Sequence, residues 1–164
     1  MPPSSQGLLL KLMDFGEAAP QDAAGGYAAG TPGYMALEVE VDGEATVASD
    51  VFSVGVTLLE LWVGSIGSTF DEYEGIPTGQ VGKEPLHEMR RELVTVLAKV
   101  EKVDPEIGGL LRRCCADEKQ RRPTPKQLVH TFKRLNGLRP GANKAKRRWK
   151  KAGQLAAQQR QQRR

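Results

Sequence analysis

Apolar residues recur at helical spacing through most of the chain between residues 49 and 135, and that spacing predicts a run of helices. From Ser49 to Trp62, the side chains of Val51, Phe52, Val54, Val56, Leu58, Leu59, Leu61 and Trp62 cover nearly every side of the helix, the mark of a helix buried all round. Glu84-Pro85 opens an amphipathic segment with Leu86, Met89, Leu93, Leu97 and Val100 on one face and Arg90, Arg91, Glu92 and Lys99 largely off it. Asp104-Pro105 pairs an N-cap with proline at the first helical position, and the helix it starts runs through Ile107, Leu110, Leu111 and Cys114, weakened by Gly108-Gly109. Thr124-Pro125-Lys126-Gln127 is a capping box for a last helix through Leu128, Val129, Phe132 and Leu135, which Asn136-Gly137 ends.

Ahead of these helices the pattern changes. Leu8, Leu9, Leu10, Leu12 and Met13 form an apolar run that predicts a short buried strand delivering Asp14 at its end, and Gly16 then lets the chain turn away. Residues 17–30 are a loop dominated by Ala and Gly, with Tyr27 but no Ser or Thr, so a switching Ser/Thr phosphate has no place there. Residues 39–48 read as a polar, acidic connection, and 65–82 as a loop rich in Gly, Ser and acidic residues.

Composition adds a division that periodicity does not reveal. The 164 residues, 39% hydrophobic and 27% charged, suffice for one domain over 6–138 and a tail over 139–164. The tail holds 10 Lys or Arg and no acid, so it carries +10 while the body carries −6. Such a segment is a solvated extension or polar helix, a nuclear import signal read by an importin, a contact for RNA or DNA phosphates, or a segment lying on an anionic membrane surface. Trp149 alone offers too little stacking surface to argue for single-strand recognition.

The longest apolar stretch, Val51 to Val63, is interrupted by Ser53, Gly55, Thr57 and Glu60 and is too short to span a bilayer. Met1 to Gly7 lacks the basic start and apolar core of a secretion signal, so no transmembrane segment and a cytoplasmic location are expected, with the nucleus open. Adjacent Cys114 and Cys115 point about 100° apart on a helix and read as reduced thiols. His87 and His130 read as surface or packing residues, with no third ligand nearby.

Short motifs in fixed order carry a more specific message. Asp14-Phe15-Gly16, then Gly30-Thr31-Pro32-Gly33-Tyr34, then Ala36-Leu37-Glu38 resemble the activation segment of a eukaryotic-type Ser/Thr protein kinase, with Leu37 replacing the usual proline. Ser49 to Val56 is similar to the start of that family's central helix, with Phe52 in place of tryptophan. Asp117 to Thr124 resembles the signature before its last helix.

The resemblance implies a mainly α fold, a protein kinase-like C-terminal lobe fragment with a short N-terminal strand. It implies that Asp14 is a metal ligand, that Thr31, Gly33 and Tyr34 form the substrate-docking loop, that Glu38 pairs with Arg122, and that Asp50 braces the catalytic loop. It implies ATP and Mg²⁺ as cofactors of the full-length family, and a protein substrate or a complementing kinase half as partners.

The same resemblance marks what this chain does not carry. No glycine-rich phosphate loop, strand lysine or His-Arg-Asp catalytic loop precedes Leu8, so the proton acceptor, the phosphate-pairing lysine and the second metal ligand are missing, and no catalytic residue is assigned. The expectation is a chain inactive alone, or a non-catalytic interaction module with a localising tail. In the resembled fold, upstream helices cover the one that begins near Asp50. Without them that helix is expected to leave apolar surface bare, so that the fragment binds hydrophobic dyes and self-associates.

Overall fold

The computed structural model describes residues 12–16, 18, 20, 30–73, 76 and 80–137. The predicted run Leu8 to Leu10, most of the loop at 17–30 and the tail at 139–164 lie outside these. The regular elements of the described body are all helical: α1 Leu37–Asp42, α2 Val47–Val63, α3 Ser68–Glu72, α4 Lys83–Val103, α5 Pro105–Cys114 and α6 Pro125–Gly137, with a 3-10 turn at Lys119–Arg121.

Local chemistry sets the helix ends. Thr46 and Ser49 form a reciprocal capping box at the start of α2, the Ser49 amide donating to Thr46 Oγ1 at 3.2 Å and the Thr46 amide to Ser49 Oγ at 2.6 Å. Gly64 closes that helix in the left-handed conformation. Asp104 caps α5 by accepting from the Ile107 amide at 3.3 Å, with Pro105 at the first position as the sequence predicts. The second predicted box also forms: the Thr124 amide donates to Gln127 Oε1 at 2.8 Å, and the Gln127 amide to Thr124 Oγ1 at 3.3 Å.

The core lies where α5 packs against both α2 and α4. Phe52 and Leu59 from α2, Met89 and Leu93 from α4, and Leu110 and Leu111 from α5 are its largest fully buried side chains. Two glycines permit the close approach. A Cβ at Gly55 would stand 2.6 Å from Cys114 Cβ, and one at Gly108 would stand 2.3 Å from the Glu101 Cα. Gly108 is therefore a packing requirement of α5 against α4, more than a weakness in α5.

Three expectations change. Leu12 and Met13 are in no strand and are about four-fifths exposed, so among the described residues Asp14 does not stand at a strand end. The reason is that a strand needs a partner for its N–H and C=O groups, and the described residues contain no strand to supply one. A short helix, α1, runs into the connection at 39–48, whose end already belongs to α2, and another, α3, lies within the loop at 65–82; both are too brief for periodicity to reveal. Finally, α2 is not buried all round: Val54 and Leu61 are exposed, and Val47 and Leu58 are half-buried. These side chains lie on one side of α2 and form an apolar strip.

Candidate docking segment and its ion pair

Thr31, Pro32, Gly33 and Tyr34 make a β-turn closed by the Tyr34 amide donating to Thr31 O at 3.1 Å. Proline at the second position and a glycine with φ of 81° at the third are the type II signature. Gly33 is required twice over, because a Cβ there would also stand 2.8 Å from the Phe70 ring and 2.9 Å from the Met89 sulfur. Tyr34 follows the turn, its ring edge-on to Phe70 with centroids 5.9 Å apart, and its hydroxyl donates to Glu60 Oε2 on α2 at 2.5 Å.

Directly after the turn, α1 presents Glu38 to Arg122, which follows the 3-10 turn. The pair is bidentate: Arg122 Nη1 donates to Glu38 Oε1 at 2.5 Å and Nη2 to Oε2 at 2.9 Å. The remaining donors reach the carbonyls of Ala116, Ala48 and Asp117 at 2.8, 3.2 and 3.1 Å, so all five N–H groups of a side chain with no exposed surface are satisfied. Burial pushes the Glu38 carboxyl up, but the hydrogen bonds and charge of Arg122, with Lys119 adding to them, outweigh it and hold it below the usual value. Phe52 lies beneath, with the Arg122 guanidinium 5.1 Å and the Arg90 guanidinium 4.5 Å from its ring centroid.

A family model described as protein kinase domain matches residues 3–132. The chain belongs to the protein kinase family. Its described body is the mostly helical C-terminal lobe of that domain, of the eukaryotic Ser/Thr type. Two proline-rich receptor-like protein kinases of Arabidopsis thaliana are each 32% identical to it, over 135 and 136 residues, and each match covers 68% of this chain. A cysteine-rich receptor-like kinase from the same plant is 40% identical over 70 residues, or 40% of the chain. The chain spans 17%, 19% and 11% of these curated relatives' lengths. No solved structure matches it.

Among the sequence-predicted positions, Glu38 meets Arg122, and Gly33 and Tyr34 seat against α2, α3 and α4 with Thr31 closing their turn. Asp14 and Asp50 do not join that assembly. Asp14 is exposed, in a left-handed conformation with φ of 61° that aspartate tolerates, and has no hydrogen-bond or ion-pair partner among the described residues. Asp50 is exposed on α2 and likewise unpaired there, while desolvation by its surroundings pushes its carboxyl up.

No group of three His, Cys, Asp or Glu that could hold a metal occurs among the described residues. Mg²⁺ takes six oxygens in near-octahedral geometry, so one exposed carboxylate does not by itself make a site for it. Among the described residues, no helix is long and apolar enough to cross a membrane.

Three functional-looking side chains escape the sequence reading: Glu40, Glu60 and Arg90. Glu60 had a signal, a lone carboxylate inside the apolar run of α2. Glu40, in an acidic stretch, and Arg90, off the apolar face of its helix, had none.

Proposed function

We propose that this chain is the substrate-side lobe of a Ser/Thr protein kinase, which docks a protein substrate at the turn Thr31 to Tyr34 and does not complete phosphoryl transfer alone. The carrying observation is the turn itself, built from a doubly required glycine and held to α2 through Tyr34 and Glu60. In the whole enzyme, ATP and Mg²⁺ supply the phosphoryl group and its charge neutralisation. Asp14 would contribute one metal oxygen, and Asp50 would brace the catalytic loop of the complementing half.

Equilibrium binding of a fluorescent degenerate peptide with a central serine tests the docking role. The 164-residue chain binds it, and Gly33→Ala loses binding while keeping its helical circular dichroism, because the methyl group displaces the turn from Phe70 and Met89. Equal binding by wild type and Gly33→Ala contradicts the proposal.

A second reading rests on charge segregation, −6 in the body against +10 in residues 139–164. On this reading the lobe is a non-catalytic interaction module, and the tail directs it to nucleic acid or, through an importin, to the nucleus; without that address the protein stays in the cytoplasm. RNA or DNA binding that collapses steeply between low and moderate salt, and that vanishes when residues 139–164 are deleted, supports it. Salt-independent binding contradicts it.

A further inference from the structure

We infer that Glu40 and Arg90 are positioning residues that hold the backbone on both sides of Tyr34, so that the docking turn keeps one shape before any peptide arrives. The inference rests on the docking role proposed above for residues 31–34. Glu40, on α1, accepts the Gly33 amide at Oε1 at 3.1 Å, immediately before Tyr34. Arg90, on α4, donates from Nη2 to the Met35 carbonyl at 3.3 Å, immediately after it. With the Tyr34 hydroxyl on Glu60, three helices each hold one point of a three-residue stretch.

The two side chains also carry opposite charges that attract each other. Arg90 is partly buried with its guanidinium over the Phe52 ring, and the charges acting on it include Glu40 and Asp117, which attract, and Arg122, which repels. Glu40 loses water to reach Gly33, and burial pushes its carboxyl up against the opposing pull of the Gly33 amide and Arg90. A glutamate in so acidic a stretch would ordinarily remain solvated. Here it is drawn inward onto one backbone amide, a contact that α1 does not need for its own helical bonds. Neither residue belongs to the motifs that mark the family in this chain.

A hydrogen bond to a charged acceptor changes local opening by about tenfold to a hundredfold, which amide exchange reads directly. In the 164-residue chain, the Gly33 amide shift is expected to follow a single carboxylate titration that Glu40→Gln abolishes. Exchange at Gly33 is expected to speed up by about tenfold to a hundredfold in Glu40→Ala and to return toward wild type in Glu40→Gln, which keeps an acceptor. Exchange at Leu59 and Leu110 stays unchanged. Affinity for the serine-centred peptide falls in Glu40→Ala and in Arg90→Met and recovers in Glu40→Gln.

Should Glu40→Ala fail to fold, the comparison of wild type with Glu40→Gln decides by itself. A Gly33 amide indifferent to Glu40, or an acceleration matched at Leu59 and Leu110, overturns the positioning role. If Gly33 responds to Glu40 but the wild-type chain binds no peptide, the docking role fails and the positioning role falls with it, while the hydrogen bond stands.

Discussion

Arg122 places its five donors on a carboxylate and three carbonyls with no exposed side-chain surface, a geometry that no other side chain type reproduces. Removing one member of a buried pair strands the other, so Arg122→Met is expected to lower unfolding free energy by about 3–5 kcal/mol in urea titrations. Glu38→Gln should cost less, because an amide oxygen still accepts. The pair also sets a pH dependence. Glu38 is held below its reference value of 4.5, so the unfolded chain takes up the proton first. Its contribution is complete above about pH 4.5 and fades as pH falls through the lower folded value. The stability difference between wild type and Glu38→Gln should therefore shrink on acidification below that point; a difference constant from pH 7 to pH 3 contradicts the assignment.

Thiol chemistry supplies a further check at this scale. Burial pushes Cys114 up to about 11 and Cys115 up to about 12, so neither is thiolate near neutrality. Both should react with a thiol reagent only as fast as the body opens, and rapid labelling of the native chain would show that α5 is not packed against α2. The pairing of Glu38 with Arg122 was available from the sequence only through the resemblance of the two motifs that hold them to those of the kinase family. Glu40 and Arg90 were not, because their roles depend on a turn closing beside them.

At the scale of the elements, two adjacent glycines in α5 that look alike in sequence behave differently in space. A Cβ at Gly108 meets the backbone of Glu101 at 2.3 Å, whereas one at Gly109 finds nothing nearer than Glu101 Oε1 at 3.9 Å. Gly108→Ala should destabilise by about 1–3 kcal/mol through overpacking. Gly109→Ala should stabilise by about 0.5–1 kcal/mol through helix propensity. Thermal melts that rank the two variants the other way would contradict the packing of α4 on α5. The caps of α5 and α6 were readable because proline and the capping side chains announce them. The helices α1 and α3 were hidden, having six and five residues each and thus less than two full turns to display a period.

For the whole molecule, the uncovered side of α2 decides behaviour. Val54 is 41% and Leu61 60% exposed, so each forgoes part of the about 1.5–3 kcal/mol that full burial of a large apolar side chain supplies, and the isolated chain should bind hydrophobic dyes and self-associate. Val54→Glu with Leu61→Glu should suppress both with little change in melting temperature, since neither side chain belongs to the buried core. A monomeric wild type with no dye binding would show that something else covers this face. The overall helical layout was legible because apolar spacing persists over α2, α4, α5 and α6. Among the described residues no strand leads into Asp14, and the rest of the predicted run, Leu8 to Lys11, lies outside them.

The central proposal is that this lobe holds a preformed turn that docks a substrate and that the chain does not complete phosphoryl transfer alone. Incubating the pure 164-residue chain with labelled ATP, Mg²⁺ and the serine-centred peptide measures that directly. No label above the metal-free control is the predicted result, and robust Mg²⁺-dependent incorporation into the peptide would contradict it.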